Sequence, residues 1–120
     1  MVGIGIDLVD IKRFESSLRR NDFIKRCFSQ SEIHYYNKTK KAAFLAGRFA
    51  AKEALVKALG TGLIEGISFS DIEIVKLPSG APQIKLKDSV ANLADNLGIK
   101  RWLISISHTK TMATAIVIAL

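Results

Sequence analysis

The segment 42–59, AAFLAGRFAAKEALVKAL, has no polar face. Wound at about 100° per residue, Leu45, Phe49, Leu55, Val56 and Leu59 fall in one broad apolar sector. Ala43, Ala46, Gly47, Ala50, Ala51, Ala54 and Ala58 fill most of the rest. A helix that is apolar all round must be buried nearly all round, so the remainder of a 120-residue chain has to wrap it. That length suits one domain, residues 1–120, on a prior of about 100–200 residues per domain. Gly60 supplies the stop, with Gly62 just beyond. The small-residue side of the helix lets another element approach closely.

The wrapping elements follow from local pattern. GIGIDLVDI (3–11) reads as a buried strand in which Val2, Ile4, Ile6 and Leu8 share one face and Gly3, Gly5, Asp7 and Val9 the other. Asp10 can cap a helix over roughly 11–20 with an Ile11, Phe14, Leu18 stripe. Residues 22–28 make a short helical turn, and SQSE (29–32) matches a capping box opening a helix to about Lys38. DIEIVKL (71–77), PSGAP (78–82) and QIKL (83–86) read as strand, turn and hairpin partner. Asp88 can cap a helix carrying Val90, Leu93 and Leu97 and ended by Gly98. Residues 101–107 and 112–120 read as two long strands around a polar HTKT turn. The expected fold class is α+β: a mainly antiparallel sheet packed on the long central helix, in the order β-α-α-α-β-β-α-β-β.

Charges interrupt this apolar plan. Arg48 and Lys52 project within the apolar sector of the long helix, and Glu53 and Lys57 lie beside it, one turn apart. An unpaired buried charge costs several kcal/mol, so each needs a partner or a ligand. An ordinary i,i+4 pair of Glu53 with Lys57, worth about 0.3–0.5 kcal/mol if exposed, is one reading. Asp7, a second carboxylate set in apolar sequence, favours another. Two carboxylates amid several cations suit a magnesium ion plus phosphates, with Gly3 and Gly5 leaving room for metal and ligand. Manganese would be accepted by the same oxygen-rich site.

Composition excludes several classes. Hydrophobic residues make up 48% of the chain, which places it among globular proteins, and its apolar runs fall short of the ~18 residues needed to span a bilayer. The opening residues show no signal-peptide pattern, and Cys27 stands alone, so no internal disulfide forms and a reducing, cytoplasmic setting is expected. One cysteine and two separated histidines, His34 and His108, do not make a structural zinc site. The net charge of +7 implies an acidic partner or a generic solubility charge. GIG lacks the third glycine of a dinucleotide fingerprint, Leu8 standing in its place, and no GxxxxGK[ST] loop is present.

Together, GIGIDLVDIKR, FLAGRFAAKEALVKALGTG and SISHTKTMATAIVI closely resemble one family, the holo-acyl-carrier-protein synthases, which are 4′-phosphopantetheinyl transferases. FSQSEI (28–33) is similar to the family's segment between these motifs, and the resemblance runs over essentially the whole chain. In SGAP (79–82) the sequence departs, with Ala81 where many relatives carry lysine; that puts one phosphate or carrier contact in doubt. The resemblance implies transfer of the phosphopantetheine arm of coenzyme A to a serine of an acidic apo acyl carrier protein, in support of fatty acid biosynthesis. Adenosine 3′,5′-bisphosphate is the other product.

It further implies that Asp7 and Glu53 hold magnesium and that Lys57 acts on the leaving phosphate. Arg48, Lys52 and His108, with Thr109, become candidates for the coenzyme's phosphates. Arg13 would contact the carrier, with Arg20, Arg19 or Arg26 as helpers, and a homotrimer would carry its sites between subunits. The general base stays open, Glu53 acting directly or through a water. Two rival classes stand beside this: a basic nucleic-acid-binding module, disfavoured by few aromatics and no RNP-like strand, and a non-catalytic carrier-binding protein. Buried metal ligands argue against the latter. The expectation is therefore neither a nucleic-acid nor a membrane partner.

Overall fold

The computed structural model describes residues 2–60 and 67–120, which leaves Gly62 outside. The long helix, α4, runs Ala42–Leu59, as its periodicity predicts, and ends on Gly60 in the left-handed conformation at φ 74°. Of its eighteen residues only Lys57 is exposed.

Around it the chain lays down β1 (Gly3–Asp10), α1 (Ile11–Leu18), α2 (Asn21–Cys27) and α3 (Gln30–Thr39) before α4. After α4 come β2 (Ile72–Lys76), β3 (Pro82–Leu86), α5 (Asp88–Asn96), β4 (Trp102–His108) and β5 (Met112–Ala119). The expected α+β order is observed, with the 22–28 turn extended into a helix of its own. β1, β5 and β4 form an antiparallel sheet in that order, and β2 pairs with β3 as a separate hairpin. A short 3₁₀ turn at Phe69–Asp71 precedes β2, so that strand starts at Ile72 rather than Asp71.

Local chemistry explains most boundaries. The Asp10 carboxylate accepts from the Arg13 amide at 3.0 Å and starts α1. α1 stops at Leu18, so Arg19 and Arg20 lie beyond it rather than on it. Ser29 and Glu32 close the capping box of α3 in both directions. The Asp88 cap is not made: Asp88 is the first residue of α5, at φ 50°, and the N-cap is Lys87 with no side-chain bond. His108 ends β4 instead of opening the turn.

Strand β1 faces the opposite way from its apolar pattern. Val2, Ile4, Ile6 and Leu8 are exposed, Ile6 at 62% and Leu8 at 64%, while the glycine face lies against α4. The close approach is measurable, because a Cβ on Gly3 would sit 1.9 Å from the Ala58 carbonyl oxygen and one on Gly5 1.9 Å from that of Ala54. Two strand residues advance about 6.8 Å and four helix residues about 6 Å, so successive glycines meet successive turns. The glycines therefore make room for helix backbone, not for metal or ligand. β5 offers the same helix Ala113, Ala115, Val117 and Ala119, all buried.

Two cores result. One joins α4 to β2, α5 and β5 through Leu55, Ile72, Val90 and Val117. The other gathers Phe14, Phe23, Phe28 and Phe49, with Phe14 and Phe49 ring centroids 5.3 Å apart. Cys27 is half-buried at its edge. Burial holds its thiol above the usual range, as expected of an inert apolar residue.

Candidate active site

Continuing the glycine ladder by one step places Asp7 opposite the middle of α4. Asp7 and Glu53 line one open cleft of about 510 Å³, together with Asp10, Arg13, Ser17 and Phe49. Burial, and then the charge of Asp7, push the Glu53 carboxyl above its usual range, with Lys57 opposing. Lys57 does not form the i,i+4 pair with Glu53. Its Nζ crosses to β1 and donates to the Ile6 carbonyl at 2.9 Å and to Asp7 Oδ1 at 3.2 Å. Thr114 Oγ1 donates to the Asp7 carbonyl at 2.8 Å and fixes that end of the strand against β5.

These donors fit a hard divalent cation. Two carboxylates line one cleft open to water, and the proton affinity of Glu53 is raised by burial and then by the charge of Asp7, the second of which a cation would offset. Among the described residues no group of three or more His, Cys, Asp and Glu is placed to hold a metal ion by itself. An ion there would complete its shell from water and substrate oxygens.

Arg48 and His108 come together elsewhere. They line a second pocket of about 270 Å³ with Tyr35, Thr39, Lys41, Phe44, Gly47 and Ile106. The Arg48 guanidinium lies 3.9 Å from the Phe44 ring centroid, and Tyr35 stacks on Phe44 at 4.3 Å. Arg48 Nε is buried and has no hydrogen-bond partner among the described residues, and burial lowers its proton affinity. A half-desolvated guanidinium with an unused donor is suited to an anion. Thr109, beyond His108, uses its hydroxyl oxygen to accept from the amides of Thr111 and Met112 and so shapes the β4–β5 turn.

Lys52 belongs to neither cavity. It is fully buried, and its three donors are all used, by Glu32 Oε1 at 2.6 Å, the Cys27 carbonyl at 2.7 Å and the Phe69 carbonyl at 2.9 Å. Glu32 Oε2 in turn accepts from the Ile74 amide at 3.0 Å. The expectation that Lys52 meets coenzyme phosphates is corrected by this geometry. Its ammonium ties α2, α3, α4 and the turn before β2 into one knot. Of the basic residues expected to meet a carrier, Arg13 stands at the rim of the Asp7 cleft. Arg20 is exposed and packs over Phe23, 5.7 Å from the ring centroid.

A family model described as the 4′-phosphopantetheinyl transferase superfamily matches residues 3–117. The chain belongs to that superfamily. The holo-[acyl-carrier-protein] synthase of Thermoanaerobacter sp. (strain X514) is 44% identical over 119 residues, covering 98% of this chain and 86% of its own. That of Caldicellulosiruptor saccharolyticus is 44% identical over 117 residues, covering 97% and 94%. Among solved structures, the Helicobacter pylori holo-[acyl-carrier-protein] synthase in complex with coenzyme A aligns with a TM-score of 0.86. It is 39% identical over 98% of this chain and 99% of that one. The Neisseria meningitidis synthase aligns with a TM-score of 0.92 at 32% identity, over 100% and 98%.

In this phosphopantetheinyl transferase, sequence reasoning missed the Lys57–Asp7 contact and the Tyr35, Thr39 and Lys41 lining of the second pocket. Phe44 could have been found, since it lies four residues before Arg48 and so under it on α4. The others come from separate elements and leave no local signal.

Proposed function

We propose that this chain transfers the 4′-phosphopantetheine group of coenzyme A to a serine of apo acyl carrier protein, releasing adenosine 3′,5′-bisphosphate. The carrying observation is the convergence of Asp7, Glu53 and Arg13 on one cleft with Lys57 bonded to its wall. A magnesium or manganese ion held by Asp7 and Glu53 would supply positive charge against the pyrophosphate. Arg13, helped by Arg20, receives the acidic carrier at the rim. The serine oxygen forms a bond to the β-phosphorus as the bond to the α-phosphate breaks. Glu53, its proton affinity raised by burial, takes the serine proton directly or through one water. Lys57 stabilises the departing phosphate and supplies its proton. Arg48 and His108 bind the coenzyme's remaining phosphate, and the reaction supports fatty acid biosynthesis in the cytoplasm. Among the described residues no helix is long and apolar enough to cross a membrane.

One chain keeps the Asp7 cleft and the Arg48 pocket separate, and it also exposes an apolar sheet face. Ile6 stands beside Ile116, and Ile4 beside Ile118 and then Leu103, on the side away from α4. A patch of this kind marks an interaction surface. It supports a homotrimer in which cleft and pocket of neighbouring copies complete one site. Ile6→Asp is expected to turn a species sedimenting as three copies into single copies, with turnover lost. A trimer that survives the substitution excludes this face.

The deciding experiment is intact-mass spectrometry of an apo acyl carrier protein incubated with the protein, coenzyme A and magnesium. The expected result is a gain of one phosphopantetheine group, lost with EDTA and lost in Asp7→Ala that remains folded. No gain with several carriers favours the non-catalytic carrier-binding reading. Full activity of Asp7→Ala removes Asp7 from the metal site.

A further inference from the structure

Glu32 is buried, and both of its carboxylate oxygens are engaged. Oε1 accepts from Lys52 Nζ at 2.6 Å and from the Ser29 amide at 2.9 Å, while Oε2 accepts from the Ile74 amide at 3.0 Å. One residue earlier, Ser31 Oγ donates to Glu73 Oε2 at 2.6 Å. The first turn of α3 therefore grips β2 at two successive residues. That hold matters because β2 and β3 are hydrogen-bonded to each other and not into the β1-β5-β4 sheet. Lys76 follows Ile74 by two residues, so the two side chains share a face of the strand. Ile74, Val75 and Lys76 line a pocket of about 190 Å³ that Tyr35, Phe44 and Arg48 complete with Ser31 and Glu32. Tyr35, Phe44 and Arg48 also line the larger pocket beside His108, so the two pockets share a wall. Arg48 and Lys76 are the cations of the smaller one.

We infer that Glu32 is a positioning residue for coenzyme binding: its hydrogen bond to Ile74 holds the β2–β3 hairpin so that Lys76 stands with Arg48 at the phosphate-binding wall. The inference rests on the reading of Arg48 as a phosphate ligand. The three donors around Glu32 select a carboxylate. An amide at this position has one accepting oxygen and a nitrogen that only donates. The Lys52 ammonium would hold that oxygen, since a charged donor makes the stronger bond. The amide nitrogen would then meet the Ile74 N–H donor to donor, and β2 would lose its anchor. Glu32 also acts on Arg48 through space. Burial lowers the proton affinity of the guanidinium, and the Glu32 charge is the first influence to oppose that. Lys52 has a different part. Its other acceptors, the Cys27 and Phe69 carbonyls, lie outside the hairpin, so the Glu32–Ile74 bond does not depend on it.

The test is calorimetric titration of adenosine 3′,5′-bisphosphate into the native protein, Glu32→Gln, Lys52→Met, Lys76→Met, Arg48→Met and the Glu32→Gln, Lys76→Met double variant. Urea unfolding of each supplies its stability. Glu32→Gln and Lys52→Met are both expected to lower the unfolding midpoint. Only Glu32→Gln should weaken binding, by about five- to tenfold, the equivalent of one lost contact. In turnover it should raise KM for coenzyme A and leave kcat nearly unchanged. Lys76→Met should weaken binding by a similar factor alone and by much less beside Glu32→Gln, because the hairpin is then already loose. Glu32→Asp, which keeps the charge and shortens its reach by one methylene, should also weaken binding and stands in where Glu32→Gln does not fold. Native affinity in the Glu32 variants overturns the proposal. Equal losses in Glu32→Gln and Lys52→Met overturn it too, since general loosening then accounts for both. Losses that simply multiply in the double variant also overturn it, because Glu32 then does not act through Lys76. Native affinity in Arg48→Met is a distinct failure: it removes Arg48 from the phosphate site, and the inference falls with that reading.

Discussion

Lys52→Met should destabilise the protein by about 3–5 kcal/mol, read as a lowered midpoint in urea unfolding at constant slope. The substitution keeps the side chain's bulk and removes its charge, which strands the buried Glu32 carboxylate and two backbone carbonyls, of Cys27 and Phe69. Burial already works against the Lys52 ammonium, lowering its proton affinity, and the Glu32 charge and hydrogen bond oppose that. The pair is therefore retained only as a unit, and breaking it is far worse than never having built it. Under native conditions the molecules that remain folded should keep their KM for coenzyme A, because Lys52 reaches neither cavity. A variant of unchanged stability and raised KM would restore Lys52 as a phosphate ligand.

The same residue shows what a sequence displays and what it withholds. Periodicity gave the long helix its limits, Gly60 its end, and SQSE the start of α3, because each is a local pattern with a local cause. Asp7, Glu53 and Lys57 were legible as a group because carboxylates and ammoniums in apolar sequence need an explanation. Why Lys52 is tolerated was not legible. Its ion-pair partner lies twenty residues away, and its other acceptors are main-chain carbonyls, which no side-chain pattern reports. Arg48 stands four residues earlier on the same helix and ends in a pocket with an unused donor. Two cations of like spacing thus part company through contacts that only the folded chain supplies. The orientation of β1 was not legible for a related reason. Apolar-inward is a sound rule when side chains set the spacing between layers. Here it is their absence that sets the spacing, and the apolar face is left for another surface.

That spacing carries the second large effect. Gly5→Ala is expected to lower stability by about 3 kcal/mol, at the upper end for overpacking, and to remove nearly all transferase activity. The new methyl would stand 1.9 Å from the Ala54 carbonyl oxygen and 2.9 Å from the Ala58 amide nitrogen, all backbone atoms of a rigid helix with no rotamer to yield. Gly5 does not have a positive φ, so alanine is not strained by its own backbone. The whole penalty comes from forcing β1 away from α4. Asp7 is the next residue on that face of β1, and Glu53 and Lys57 ride on α4. Widening the gap therefore pulls one carboxylate from the other and from the ammonium that holds it. Activity should then fall by more than the unfolded fraction accounts for, at temperatures where circular dichroism still reports a folded helix. Loss in proportion to unfolding alone would mean that the cleft tolerates a change in layer spacing. The two glycines would then serve packing and not the placement of Asp7 opposite Glu53.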